Sequence, residues 1–130
     1  MNAKAKGSNA ERELIRMLWS KGWACVRAAG SGSTQYPCPD LIASNATRAL
    51  AIECKSSGEL NRHLPKQQVE DLVSFAKMFG AEPWIGVRFN DMKWAFFCPD
   101  DLKKTGTGFS VSVRMVKVKG LTFEQLTGLF

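Results

Sequence analysis

Two acids and an amine stand in the stretch from Pro39 to Lys55 at a spacing that could do phosphoryl chemistry. Asp40 follows Pro39, and Glu53 lies two residues before Lys55 in the run RALAIECK, 48–55. Both acids fall in apolar stretches that read as neighbouring strands. Side chains alternate along a strand, so Glu53 and Lys55 share a face with Ala51, while Ile52 and Cys54 take the other. Alone, E-x-K is equally an ion pair at a solvated sheet edge, and Asp40 equally a turn residue after proline. Together they are more specific. If Asp40 and Glu53 share a face, two carboxylates converge, and like charges at that distance are costly unless a cation bridges them. A hard cation such as Mg²⁺ takes oxygen ligands and keeps several waters. Asp40, Glu53 and the backbone carbonyl of Cys54 could supply its shell, with Mn²⁺ expected to substitute. Such an ion sharpens a water nucleophile and screens charge on a phosphoryl group. Lys55, a compact point charge, could orient that water or stabilise a pentavalent phosphorane.

Glu11 is a third acid, in line with Leu14, Ile15 and Leu18 at helical spacing and so on the buried side of a first helix. With Ser8 it also fits the capping box S-x-x-E, and the two roles can coexist.

The elements that must hold these residues follow from periodicity and punctuation. A helix is predicted from Ser8 to about Lys21, ended by Gly22. A strand is expected over 23–29, then an exposed Gly/Ser loop over 30–39. Strands over 40–44 and 48–55 are joined by a tight turn at 45–47. A polar loop at 56–64 leads to a second helix from Pro65 to Gly80, with Val69, Leu72, Val73, Ala76 and Phe79 as its core face. Strands at 83–89 and 93–99 turn near Asn90 and Asp91, and a short basic turn follows. The alternating run 109–118 reads as a peripheral strand. The tail carries a capping box, Thr122 with Gln125, and a staple, Leu121 with Leu126. Helix, three strands, helix, two strands describes one α/β domain over 1–130 with a mixed sheet, the crossover helix allowing a parallel return.

Composition bounds the function. The chain has 130 residues, 45% hydrophobic and 23% charged, and no apolar run long enough to span a membrane. No signal peptide is visible, so the expected location is cytoplasmic. The four cysteines form no C-x-x-C pair, and Cys25, Cys54 and Cys98 read as small buried thiols. The net charge of +6, from 18 basic and 12 acidic residues, favours a polyanionic partner.

The order E…PD…ExK resembles the PD-(D/E)xK nuclease superfamily. More closely, "KGSNAERELIRMLWSKGWACVRAAGSGS", "PDLIA", "LAIECKS", "KQQVEDLVSFAKMFGAEPWIGVRF" and "GLTFEQL", in that order, resemble the archaeal-type Holliday junction resolvases. The resemblance spans nearly the whole chain. It implies a restriction-endonuclease-like fold, a central mixed five-stranded sheet flanked by helices. It implies a metal-dependent homodimer that nicks opposing strands of four-way DNA, with recombination or replication proteins as accessory partners. By motif, Asp40 and Glu53 would hold the metal, Lys55 would be the catalytic lysine and Glu11 the helix-borne acid. Ser31 would match the serine of the flexible loop, and Arg12 and Arg27 the basic residues near the phosphates. Lys4, Lys6, Lys103, Lys104, Arg114, Lys117 and Lys119 are further candidates for phosphate contact. Phe75, Phe79, Phe123, Leu126, Leu129 and Phe130 resemble the dimer surface. Flap or end cleavage by another nuclease of this superfamily, and a catalytically silent DNA-binding module, are the competing readings.

Overall fold

Good helix formers precede Ser8, and they carry the first helix further back than a cap at Ser8 would allow. The computed structural model describes residues 3–28 and 36–128, and only the backbone of residues 3–6. Helix α1 runs Ala3–Ser20, so Ser8 sits inside it and the expected Ser8–Glu11 capping box does not start it. Its end is as expected. Gly22 takes φ 89, its N–H reaches the Trp19 carbonyl and that of Trp23 reaches Leu18, closing a Schellman motif.

Three strands follow: β1 (Ala24–Arg27), β2 (Leu41–Ser44) and β3 (Ala49–Ser57), paired antiparallel in sequence order. In the β2–β3 turn the Asn45 side chain accepts from the N–H groups of Thr47 and Arg48. The stretch expected to be a polar loop instead contains β4 (Asn61–Pro65). Only Leu64 among those five is buried, so the strand leaves no alternation to read; its pairing partner lies far along the chain.

Helix α2 (Lys66–Phe79) ends at Gly80 as expected. Val69, Leu72 and Ala76 are buried, but Val73 and Phe79 are 40% and 55% exposed. The apolar stripe is wider than the sheet beneath it can cover. Strand β5 (Glu82–Phe89) returns parallel to β3, and β6 (Ala95–Phe97) pairs antiparallel with β5. The sheet order is β1-β2-β3-β5-β6, the mixed five-stranded sheet anticipated.

A smaller sheet was not anticipated. Strands β7 (Lys103–Lys104) and β8 (Gly108–Ser112) join β4 in the order β4-β8-β7. Gly108 is required there, because a Cβ would come within 2.8 Å of the Lys66 nitrogen and still closer to the Leu64 carbonyl. The run 109–118 is not one strand: Ser112 accepts from the Met115 N–H and starts helix α3 (Val113–Val118). Helix α4 (Phe123–Gly128) closes the described chain. Its capping box is reciprocal: Gln125 N–H donates to Thr122 Oγ1 at 3.0 Å, and Thr122 N–H to Gln125 Oε1 at 2.9 Å. No helix among the described residues is long and apolar enough to cross a membrane.

The core lies on both faces of the large sheet. Leu14, Leu18, Leu41, Ile52, Phe96 and Leu126 fill the α1 side; Leu64, Val69, Leu72, Ile85, Val87 and Phe97 fill the α2 side. One corner is polar. Arg48 donates through Nε and Nη2 to both oxygens of Glu82, each at 2.8 Å, and through Nη1 to the Leu126 carbonyl at 2.7 Å. Its guanidinium also lies 5.4 Å from the Trp23 ring centroid. The starts of β3 and β5 and the end of α4 are thus tied to one side chain. Removing it strands a carbonyl and a carboxylate. Arg48→Ala should lower the unfolding free energy by about 2–3 kcal/mol in urea titrations, below the range for a fully buried pair because Glu82 is partly exposed. The Arg48 hydrogen bond holds the Glu82 carboxyl below its ordinary value of 4.5. The stability from this pair is therefore present above that pH and lost as the pH falls through the lowered value. The stability difference between parent and variant should shrink over the same acid range.

Candidate active site

Asp40 and Glu53 are brought together by strand register. Leu41 pairs with Ile52 across β2 and β3, and one step further the register sets Asp40 opposite Glu53. Leu41 and Ile52 pack on the α1 side, so alternation turns the next residue of each strand towards α2. Ala51, two residues before Glu53, packs on that α2 side. The Asp40 backbone is fixed by Ala28, whose N–H donates to its carbonyl at 2.9 Å. Its side chain is fixed by Cys54, whose N–H donates to Oδ2 at 2.8 Å.

The consequence is electrostatic. Burial first, and the facing Asp40 charge second, push the Glu53 carboxyl up to about 8, with Lys55 pulling the other way. Lys55 Nζ lies 3.7 Å from Glu53 Oε2, and the two side chains are only 11% and 14% exposed. The E-x-K pair is therefore not a solvated edge pair.

Glu11 approaches from the α1 side. Arg27 Nε donates to its Oε1 at 3.0 Å. Burial and the Asp40 charge raise the Glu11 carboxyl, and Arg27 opposes them. Among the described residues, no three His, Cys, Asp or Glu side chains converge to hold a metal ion. Glu11, drawn to Arg27 on the other side of the sheet, does not complete a three-acid ligand cluster with Asp40 and Glu53. What remains is an all-oxygen donor set of two carboxylates and a nearby main-chain carbonyl. That set fits a hard ion that binds through one or two carboxylates and retains waters.

The other expected site residues divide. Arg12 is exposed, with Nη1 donating to Asn9 at 2.7 Å. Ser31 and the side chains of Lys4 and Lys6 lie outside the described residues. Cys25 is buried, and burial lifts its thiol to about 11; Cys54 and Cys98, expected to be buried, are of intermediate exposure. Asp71 was not singled out by sequence. With Gln68, Cys38 and Leu72 it lines a cleft of about 280 Å³ that opens onto Glu53. A half-buried helical acid carries no local signal; only the packing of α2 beside β3 brings it to the cleft.

The family model for the archaeal Holliday junction resolvases (Hjc) matches residues 2–130. The chain belongs to that family. It is 39% identical over 127 residues to the crossover junction endodeoxyribonuclease Hjc of Archaeoglobus fulgidus, covering 98% of this chain and 93% of that protein. It is 34% identical over 123 residues to the Hjc of Methanocaldococcus jannaschii, covering 95% and 87%. The solved structure of the A. fulgidus Hjc, described as a Holliday junction resolvase, superposes with a TM-score of 0.88 at 37% identity, covering 94% of this chain and all of that one. The restriction-endonuclease-like architecture expected of the Hjc family is therefore the fold of this chain.

A carboxyl group raised in the folded state binds a proton that the unfolded chain has released. Between 4.5 and about 8 stability should therefore fall as the pH rises, without metal. Thermal melts in chelator across that window should show the fall, and Glu53→Gln should flatten it. A parent profile as flat as the variant's would count against the close approach of Asp40 and Glu53.

Proposed function

We propose that this chain is a metal-dependent endonuclease that resolves four-way DNA junctions by paired symmetric nicks, acting as a homodimer of one nuclease domain over residues 1–130. The reading is carried by one observation: the β2–β3 register sets Asp40 opposite a largely buried Glu53, with the Lys55 ammonium 3.7 Å from the Glu53 carboxyl. Such a site is short of positive charge and offers hard oxygen donors. Mg²⁺ is the ion that this donor set favours, with Mn²⁺ as a substitute.

Asp40 and Glu53 would hold the ion, with the Cys54 carbonyl as a further donor. When bound, it would supply Lewis-acid charge at a phosphoryl oxygen and lower the pKa of a bound water. The chain's own residues do the rest. The Cys54 N–H orients Asp40, so the carboxylate has little freedom to lose. Lys55 holds the attacking water or the phosphoryl oxygen and donates a hydrogen bond as negative charge builds up there. Arg27 opposes the burial that raises the Glu11 carboxyl, and either residue can meet the backbone flanking the cut. Ser31, Lys4, Lys6 and Arg12 are proposed DNA contacts around this centre.

Dimerisation is supported by an exposed apolar ridge on α2, rooted on Phe75, which itself packs partly against the core. Phe75 and Phe79 stack with centroids 5.2 Å apart, and Met78 beside them is 83% exposed. Phe123 and Leu126, expected on the same surface, are instead core residues of the subunit. A two-fold pair of sites suits a substrate of matching symmetry.

Magnesium-dependent cleavage of a synthetic four-way junction, with products mapped on all four strands, tests the reading. Paired cuts on opposing strands are expected, with duplex and flap DNA cut far more slowly; equal cutting of all three would sink the junction assignment. Asp40→Asn and Lys55→Ala should each slow cleavage by about 100-fold or more while binding the junction. Phe79→Ser should shift the sedimentation profile from dimer towards monomer without lowering the melting temperature.

A further inference from the structure

The small sheet plays no part in the chemistry above, yet one of its faces has a consistent character. Val111 is buried and Phe109 packs against the core, so the pleat turns Ser110 and Ser112 the other way. Opposite them stand Asn61 and His63 on β4 and Lys103 on β7, and residues directly opposite share a face. Helix α3 continues from Ser112 and adds Arg114 and Lys117, one helical turn apart. A groove of about 690 Å³ runs along this region, lined by Leu60, Asn61, Lys103, Ser112, Arg114 and Lys117 together with Val113 and Val118; no acidic residue lines it. None of the three cations joins an ion pair among the described residues. The face begins a short turn beyond the strand that carries Lys55.

We infer that this face binds the phosphate backbone of a duplex arm of the DNA substrate, away from the point of cleavage. The inference rests on the nuclease reading and extends it to a second contact. Duplex DNA carries one negative charge per ~1.7 Å of axis, so a row of unpaired cations gains from releasing its counterions. Arg114 and Lys117, at a helical spacing of about 5–6 Å between Cβ atoms, are set apart on the scale of neighbouring phosphates. Asn61 and the seryl hydroxyls are neutral donors of the kind that phosphate oxygens and sugars accept from. Leu60 and Val118, 72% and 77% exposed, offer apolar contact to deoxyribose at the rim. An acidic, apolar peptide is the other occupant this lining could attract. The hydroxyl-bearing sheet face, and the short turn that links it to the end of β3, favour nucleic acid.

The test is arm length. A Lys103→Ala/Arg114→Ala/Lys117→Ala variant changes only exposed side chains, and its melting temperature serves as the check on folding. Binding is measured in chelator against salt, on a four-way junction with long arms and on one whose arms are cut short. On the long-armed junction the variant's log K against log salt should be shallower by about 2–3, with affinity down about ten-fold or more at low salt. On the short-armed junction parent and variant should coincide. Equal losses on both junctions overturn a contact on the arm. An unchanged slope on both, the result a peptide groove would give, overturns a nucleic-acid contact altogether. Because binding is read without cutting, a parent that fails to cleave either junction would count against the nuclease reading and leave this result to stand on its own.

Discussion

Two carboxyl groups held opposite one another on paired strands are the constraint around which the rest is arranged. Their approach is unfavourable, and nothing in their own chemistry would keep them together. The apolar residues beside them do. Leu41 and Ile52 are fully buried partners in adjacent strands, and a slip of one residue would turn both towards the wrong face. The register that protects those two side chains is the register that opposes Asp40 to Glu53. Core packing and the proposed chemistry are in this sense one requirement, met by neighbouring positions of the same two strands.

The charges around the pair are distributed unevenly, and the unevenness has a direction. Glu11 has Arg27 at 3.0 Å, and Glu53 has Lys55 at 3.7 Å. The Asp40 carboxylate is met by a main-chain N–H, from Cys54. A backbone dipole orients an acid without cancelling its charge. Three acids with two cations leave the centre one charge short, at the residue whose position is best fixed. That is a favourable place for a divalent ion to enter, and the same crowding, burial first and the Asp40 charge second, raises the Glu53 carboxyl.

What the sequence made legible was what local rules decide. Alternation put Glu53 and Lys55 on one face, and the sheet agrees. The Thr122–Gln125 box and the Gly22 and Gly80 helix ends are set by residues a few positions apart, and they too are as read. The failures have a different origin. In β4 the residues Asn61, Arg62, His63 and Leu64 leave one apolar side chain to read, and the strand exists because β8, some fifty residues on, pairs with it. From 109 to 115 apolar and polar residues alternate, which suits a strand, but the adjacent Met115 and Val116 break the pattern and the Ser112 cap starts a helix. Tertiary context outweighs propensity in both. Ser8–Glu11 matched a capping pattern, yet alanine and lysine before it propagate the helix at little cost. Val73 and Phe79 kept helical spacing with the core residues but overhang the sheet. The opposition of two strand-borne acids was legible; that Glu11 turns to Arg27 was not, since it depends on which side of the sheet α1 packs.

This division explains why the site is carried on β2 and β3 while its surroundings are not. A strand inside a five-stranded sheet has hydrogen-bonded neighbours on both sides, so its side chains have fixed origins, and ligands that must meet within a few tenths of an ångström need that. Contacts to a long, flexible polyanion do not. They tolerate displacement and gain from number, and in the proposed reading they fall to short helices, turns and the small outer sheet. Precision at the centre and tolerance at the periphery are different physical demands, and the chain meets the first with its most buried strands and the second with elements whose very existence depends on distant pairing.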